Sequence, residues 1–401
     1  PGNKKRDKSS EGKDMQIAIF GGSFNPPHIG HIEASRAAIE KLRADKMLII
    51  PAAQAPQKEQ EPDSPDAHAR LSMAQLAFEG LAQTEISDIE ISRGGISYTV
   101  DTLKELKKQY PDAELILMMG TDQLENFETW KDYRGILELC TLAPFPRRSG
   151  DMPRVRAGAE KLERLYGAKL HVIEYSPADI CSTRLREMLP ERLGVRYFRD
   201  GVYSEIIKHR FYGAQPELEW LRSKAFQHLD PKRVPHVMGC EQEAVRLARR
   251  WGGDEGLAAE AGILHDITKR LKTPEQLKLC EQYGIMTDIE ERANYKLLHA
   301  KTGAALSREL FGVSDEVYSA IFWHTTGRPG MSLLEKIIYI ADYIEPNRDF
   351  DGVKELRSLA YKDLDEALIL GFQMSLKELE RRGAKPHISS ERAMEWLINK
   401  R

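Results

Sequence analysis

Over the first half of the chain, short uninterrupted apolar runs alternate with longer amphipathic stretches. Ile17-Ala18-Ile19-Phe20, Met47-Leu48-Ile49-Ile50-Pro51 and Leu115-Ile116-Leu117-Met118-Met119 lack the polar alternation of a half-exposed strand, so each predicts a parallel strand buried on both faces. Residues 85–92 predict another strand, and Thr141-Leu142-Ala143 and Leu170-His171-Val172-Ile173 a fifth and a sixth. Residues 32–39, 71–81 and 98–110 carry helical spacing and good helix formers. Strands alternating with helices from Met15 to about Gly213 predict an α/β, doubly wound parallel sheet of the Rossmann-like kind. Residues 54–66 are polar and proline-rich and predict a loop, mobile over the functional site.

Past Gly213 the texture changes. Helical periodicity with almost no β-branched runs predicts helices near 217–229, 236–251, 255–265, 274–282, 290–311, 315–324, 332–344, 353–360, 362–380 and 388–399. This half reads as all-α. The expected organisation is a disordered tail over 1–14, an α/β domain over 15–212, a linker over 213–220 around Gly213-Ala214-Gln215-Pro216, and a helical domain over 221–401. The tail is rich in Lys, Ser, Gly and Glu and has no apolar core, so it does not read as a signal peptide.

Composition narrows the classes. Hydrophobic residues make up 41% of the 401, enough for two real cores. A net charge of -3 and the lack of a basic aromatic patch argue against nucleic acid as a partner. No apolar stretch approaches the roughly 20 residues of a membrane span. The four cysteines, Cys140, Cys181, Cys240 and Cys280, are scattered without a CxxC pair, which points to a reducing, cytoplasmic setting. The oligomeric state is left open, a homo-oligomer included.

The chemistry concentrates at Gly21-Gly22-Ser23-Phe24-Asn25-Pro26-Pro27-His28-Ile29-Gly30-His31, between the first strand and the first helix. Backbone N–H groups and the helix dipole there favour an anion, and glycine lets a phosphate approach closely. His28 and His31, three apart, can face one phosphate and stabilise charge on phosphorus during nucleotidyl transfer. The segment resembles the HxGH nucleotidyltransferase superfamily.

Further runs resemble one branch of it, the nicotinate-nucleotide adenylyltransferases. Arg93-Gly94-Gly95-Ile96-Ser97-Tyr98-Thr99-Val100-Asp101-Thr102-Leu103 is similar to their R-x-G-x-S-Y-T-x-D-T-L run, and Ser97, Tyr98 and Thr99 precede a helix where hydroxyl and N–H groups can hold a nicotinate carboxylate or phosphate. Gly120-Thr121-Asp122 ends a strand, where Asp122 can reach a ribose hydroxyl or Mg²⁺-bound water. The resemblance implies that Trp130 stacks on the nicotinate ring. Ile180-Cys181-Ser182-Thr183-Arg184-Leu185-Arg186 is similar to an I-S-S-T-x-I-R segment, so Ser182, Thr183 and Arg186 are expected at the ATP phosphates, with Cys181 replacing a serine. Lys58 echoes a P-P-H-K loop in which Gln57 replaces the histidine, and Arg70 and Met73 fit an R-x-x-M helix. The implied reaction joins nicotinate mononucleotide to AMP from ATP, with Mg²⁺ carried by ATP, by positioning and charge stabilisation. A phosphopantetheine or an amidated mononucleotide is the alternative substrate.

Of the eleven histidines, His236, His265, His299 and His324 fall in order with Asp266 and Asp342 on predicted helices. Imidazole and carboxylate suit Fe, Mn or Zn, and two ions sharing Asp266 would activate a water for attack on phosphorus. The order resembles the HD-domain phosphohydrolases. Leu264-His265-Asp266-Ile267-Thr268-Lys269, Trp323-His324-Thr325-Thr326-Gly327-Arg328 and Tyr339-Ile340-Ala341-Asp342-Tyr343-Ile344-Glu345-Pro346-Asn347-Arg348 are similar to the bacterial HD-type symmetrical diadenosine tetraphosphatases. That resemblance implies Fe on His236, His265, Asp266 and Asp342, His299 and His324 on substrate or a second metal, and Arg233, Tyr343 and Arg348 as nucleotide contacts. Two activities are expected: deamido-dinucleotide synthesis, and hydrolysis of diadenosine tetraphosphate to two ADP. The alternatives are a helical half that senses a nucleotide without turnover or hydrolyses another one.

Overall fold

The apolar runs of the first half meet as a five-stranded, all-parallel sheet. A computed structural model describes residues 15–56, 64–293 and 295–400. The expected tail 1–14 and Lys58 lie outside the described residues. Tertiary contacts divide the chain into two units, Pro1–Ile206 with Phe211–Gln215, and Ile207–Arg210 with Pro216–Arg401.

In the first unit, β1 (Gln16–Gly22), α1 (Ile29–Leu42), β2 (Lys46–Pro51), α2 (Ala67–Phe78), β3 (Thr84–Ile86), α3 (Ile89–Arg93), α4 (Thr99–Gln109), β4 (Glu114–Gly120), α5 (Thr121–Glu125), α6 (Tyr133–Leu139), β5 (Thr141–Phe145), α7 (Met152–Tyr166) and α8 (Ser182–Met188) follow in sequence. The strand order is β3-β2-β1-β4-β5. Every pairing is parallel, with Ile17 opposite both Lys46 and Leu115. Residues 17–20, 47–50 and 115–119 are buried, as expected for a sheet covered by helices on both faces. The order reverses between β1 and β4, so a ligand crevice belongs at their carboxyl ends, at Gly22 and Gly120.

Two expected strands are corrected. Residues 85–92 do not continue as one: β3 stops at Ile86, and α3 follows. Ser92 donates from its N–H to the Asp88 carbonyl (2.7 Å) and from its hydroxyl to the Asp88 carboxylate (2.8 Å), which curls the chain where a strand was expected. Leu170 to Ile173 makes a single bridge to Leu142 rather than a sixth strand. The Leu142 N–H bonds the Lys169 carbonyl, and the His171 and Ile173 N–H groups bond Leu142 and Pro144. Pro144 has no N–H to return, so the ladder stops. The helix expected over 71–81 starts earlier, at Ala67, because Asp66 caps it by accepting from the Ala69 N–H (2.8 Å).

After α9 (Asp200–His209), the second unit contains α10 (Leu218–Phe226), α11 (Val234–Trp251), α12 (Glu255–Leu264), α13 (Thr273–Gln282), α14 (Ile289–Ala293), α15 (Tyr295–Phe311), α16 (Asp315–Trp323), α17 (Leu333–Ile344), α18 (Val353–Ala360), α19 (Leu364–Arg381) and α20 (Ile388–Asn399). The described residues of the helix expected over 290–311 are helical, as α14 and α15 on either side of residue 294. Pro235 sits in the first turn of α11, where its missing N–H costs nothing. α12 is buried along its length from Ala258 to Leu264 and forms the centre of the unit. Gly262 lets α11 lie against it: a Cβ there would stand 2.7 Å from the Glu241 Cα. This close approach sets the first turn of α11 against the end of α12. α12 ends where the His265 Nδ1 turns back onto the Gly262 carbonyl (2.8 Å).

Candidate functional site

At the carboxyl end of β1 the chain enters α1 through His28, whose extended backbone (φ -148, ψ 174) makes it the cap residue. His28 Nδ1 accepts from the Gly30 N–H, and His31 Nδ1 accepts from the His28 N–H, each at 3.2 Å. A backbone N–H can only donate, so both Nδ1 atoms lack a proton and both neutral rings carry theirs on Nε2. The rings lie 3.9 Å apart. Burial, and then the charge of Arg147, lower the His28 pKa from 6.5 to about 3. His28 is therefore a neutral N–H donor at any ordinary pH.

The surrounding residues fix this corner. Arg70 donates to the carbonyls of Ser23 (2.8 Å), Ala52 (2.7 Å) and Ala53 (3.0 Å), tying the loops after β1 and β2 together. Ser182, opening α8, donates to the Pro26 carbonyl (3.0 Å), and Arg186 donates to the Asn25 carbonyl (2.9 Å). Thr183 is exposed on the same turn. A Cβ added at Gly21 would meet nothing within 4 Å, so its backbone borders open space. Phe24 is buried, edge-on to Phe20 and Phe78, and its side chain belongs to the core.

Along the same edge, Ser97 donates its N–H to the Gln54 carbonyl (2.9 Å) and accepts from the Ala53 N–H (3.0 Å). Thr99 starts α4, and the Tyr98 ring lies under the Lys131 ammonium at 4.2 Å. Trp130 is half-buried, 5.7 Å from the Phe127 ring. Asp122 pairs with Arg147 (2.9 Å). Arg147 was not legible as a site residue; it reaches this edge because Gly120 has no side chain, a Cβ there falling 2.5 Å from the Arg147 Cδ.

The helical unit builds the opposite arrangement. His236 from α11, His265 and Asp266 from the end of α12, His299 from α15, His324 from the end of α16 and Asp342 from α17 converge. His236 Nε2 lies 3.3 Å from His265 Nε2 and 3.1 Å from Asp342 Oδ1. His299 Nε2 lies 3.1 Å from both His324 Nε2 and Asp266 Oδ1. His236, His265 and Asp266 form one triad of candidate ligands, and Asp266, His299 and His324 a second, each within 4.8 Å. Asp266 belongs to both. His265, Asp266 and His299 are fully buried.

Hydrogen bonding at the far side of these rings assigns their protons. The Nδ1 atoms of His265 and His324 face the carbonyls of Gly262 (2.8 Å) and Ile321 (2.6 Å), and that of His236 faces the Glu345 carboxylate (3.1 Å). These partners only accept, so each Nδ1 carries the proton. The Lys269 ammonium, which only donates, is 2.8 Å from His299 Nε2. Three Nε2 lone pairs, those of His236, His265 and His324, thus point into one buried space, that of His299 being taken by Lys269, beside an Asp266 Oδ1 that no donor satisfies. Lone pairs at 3.1 to 3.3 Å repel unless a cation lies between them, so the donor set fits divalent metal. Burial opposes ionisation of Asp266, whereas the charge of the Lys269 ammonium favours its carboxylate. Burial, with Lys269, lowers the His299 pKa to about 3, keeping the ring neutral.

Three cations ring the cluster. Arg233 bonds Asp266 Oδ2 (2.6 Å), Arg348 bonds Asp342 Oδ1 (2.6 Å), and Lys269 is 3.5 Å from Asp266 Oδ1. Tyr343 is half-buried one residue past Asp342. Glu345, which carries no signal of its own in the sequence, stands behind His236. Asp288, Glu291 and His387 form a third cluster, but His387 Nδ1 accepts from the Ser389 N–H (3.2 Å), so Nε2 carries a proton and donates to Asp288 (3.0 Å). That cluster clamps the starts of α14 and α20.

Comparison with known proteins follows the same division. The cytidylyltransferase-like family model matches residues 19–188, and the HD domain model residues 233–347. Over 370 residues the chain is 29% identical to a Mycoplasma pneumoniae protein named "Probable nicotinate-nucleotide adenylyltransferase/Ap4A hydrolase", covering 90% of this chain and 97% of that one. A Gemmatimonas aurantiaca protein named "Probable nicotinate-nucleotide adenylyltransferase" is 35% identical over 203 residues, 50% of this chain and 94% of that one. A Halalkalibacterium halodurans protein named "Bis(5'-nucleosyl)-tetraphosphatase, symmetrical" is 45% identical over 153 residues, 37% of this chain and 81% of that one. Among the described residues, no helix is long and apolar enough to cross a membrane.

Proposed function

The chain belongs to the nicotinate-nucleotide adenylyltransferases through its first unit and to the HD-domain symmetrical bis(5'-nucleosyl)-tetraphosphatases through its second, and from that membership we propose that one polypeptide performs both reactions. The first unit transfers AMP from Mg²⁺-ATP to nicotinate mononucleotide, giving the deamido dinucleotide and pyrophosphate. The second splits diadenosine tetraphosphate into two ADP. The observation that carries this reading is the opposite proton placement in the two imidazole sets. His28 and His31 present N–H groups, which suit phosphoryl oxygens; His236, His265 and His324 present lone pairs, which suit cations.

In the first reaction a phosphate oxygen of the mononucleotide, already ionised, attacks the α-phosphorus of ATP. No general base is required. His28 and His31 donate from Nε2 to the phosphoryl oxygens as charge develops, and Arg186 and the α8 start, with Ser182 and Thr183, hold the pyrophosphate end. Arg147 adds positive charge at this edge. Gly21 and Gly22 let the phosphates lie on the backbone, Ser97 to Thr99 bind the pyridine carboxylate, and Trp130 stacks on the ring. Asp122 orients a ribose hydroxyl.

In the second reaction His236, His265, Asp266 and Asp342 hold one divalent ion, and Asp266, His299 and His324 a second. Such ions, when bound, acidify a water and polarise a phosphoryl oxygen. Arg233, Lys269 and Arg348 take phosphate oxygens, and Tyr343 meets a nucleoside. Iron is the metal we assign, with Mn and Zn as competitors for the same donors. The four unpaired cysteines support a cytoplasmic setting.

The test is to assay the purified full chain on both substrate sets and measure bound metal. Pyrophosphate release should be at least tenfold faster with the acid than with the amide mononucleotide. Tetraphosphate hydrolysis should give ADP as the sole nucleotide product. An AMP and ATP pair from the tetraphosphate, or no turnover by the metal-loaded chain, would overturn the second assignment.

A further inference from the structure

Glu345 lies at the end of α17, almost fully buried, with the Arg348 guanidinium 3.9 Å from its Oε1. Its Oε1 is 3.1 Å from His236 Nδ1. Its Oε2 accepts from the Asn347 N–H (2.7 Å) and from Asn347 Nδ2 (2.9 Å). Asn347 Nδ2 also donates to the Pro235 carbonyl (3.0 Å), one residue before His236. Space for the carboxylate comes from Gly239, one turn beyond His236, where a Cβ would fall 2.3 Å from Glu345 Oε2 and 3.1 Å from Asn347 Nδ2. A glycine inside a helix is less favourable than alanine, and here it leaves the room that a carboxylate fills.

We propose that Glu345 is a positioning residue that fixes the proton of His236 on Nδ1 and aims its Nε2 lone pair at a divalent ion, with Asn347 and Gly239 holding Glu345 in place. This rests on the metal-centre reading above. The reasoning is one of donors and acceptors. Asn347 offers two donors to Oε2, so that oxygen must remain an acceptor. Oε1 is then the atom that faces His236, and a carboxylate oxygen obliges Nδ1 to donate. A carboxylate behind a metal-bound imidazole also raises the basicity of the ligating nitrogen.

Replacing Glu345 by its isostere separates this role from packing. In Glu345→Gln the amide oxygen is claimed by the two Asn347 donors, and the NH2 group turns to His236. Nδ1 must then accept, and the proton moves to Nε2, where the lone pair is needed. The experiment titrates the chelated full-length protein with Mn²⁺ by calorimetry and records ¹⁵N-histidine spectra of the metal-free form. In Glu345→Gln, affinity for one of the two ions should fall ten- to a hundredfold while the other is kept, and His236 should change from Nδ1–H to Nε2–H. Equal thermal unfolding of the chelated proteins shows that packing is intact. If Glu345→Gln does not fold, Gly239→Ala, which crowds Oε2 but keeps the carboxylate, should weaken the same ion. Wild-type affinity for both ions with an unchanged His236 tautomer in the variant would overturn the inference. A wild-type chain that binds no Mn²⁺ would instead overturn the metal reading on which it depends.

Discussion

His28 gives the sharpest quantitative test. Its ring is 5% exposed, caps α1 through Nδ1 and has its pKa lowered from 6.5 to about 3 by burial and, secondarily, by Arg147. The unfolded chain protonates this ring below pH 6.5, whereas the folded chain does not until about pH 3. Unfolding therefore takes up a proton between those values, and the neutral state's contribution to stability is present above 6.5 and lost as pH falls. At pH 5 the gap is about 1.5 pH units, which at 1.36 kcal/mol per unit is about 2 kcal/mol. His28→Asn removes the titration but keeps a side-chain acceptor at the cap. Urea unfolding of the whole chain, read by hydrogen-exchange mass spectrometry on peptides from β1 and β4, reports this unit. The wild type should lose about 2 kcal/mol more than His28→Asn between pH 7 and pH 5. Equal losses in the two proteins would refute the burial argument and, with it, the assignment of His28 as a permanently neutral donor.

Other consequences follow from the same geometry. Arg70→Met leaves three carbonyls without their charged donor and should destabilise the first unit by about 2–4 kcal/mol in thermal melts, without slowing tetraphosphate hydrolysis. Asp266→Asn should reduce bound metal and lower hydrolysis by at least about a thousandfold, some 4 kcal/mol of transition-state stabilisation, with adenylyl transfer unchanged within twofold. Trp130→Ala should raise KM for the mononucleotide about tenfold, the loss expected for one stacked ring, with a smaller effect on kcat. Dialysis against a chelator should abolish hydrolysis, and adding Fe²⁺ or Mn²⁺ should restore it.

Apolar periodicity was enough to place β1, β2, β4 and β5, because a strand buried on both faces leaves a run that no amphipathic helix imitates. It failed where hydrogen bonding outweighed hydrophobicity. Ile89 and Ile91 look like strand positions, but the Asp88–Ser92 contacts coil them, and Pro144 denies Leu170–Ile173 its return bond. The helical half was legible in its elements, since long amphipathic helices leave a strong 3.6-residue period. Among site residues, the histidines and aspartates carried the signal, whereas their partners did not. Glu345 is legible only once α17 lies beside α11, and Arg147 only once Gly120 is seen to leave it room. Which ring nitrogen carries a proton depends on backbone geometry that no residue pattern encodes.

The proline in β5 bears on how this protein behaves at high concentration. An open parallel sheet exposes two borders whose unpaired amides and carbonyls can recruit a neighbouring chain. Here one border is the three-residue strand β3 and the other is β5, where Pro144 removes an amide and the 170–173 segment occupies part of the rest. Neither border gives an invading strand a continuous template. The same imino acid that denies the sheet a sixth strand therefore guards it against aggregation.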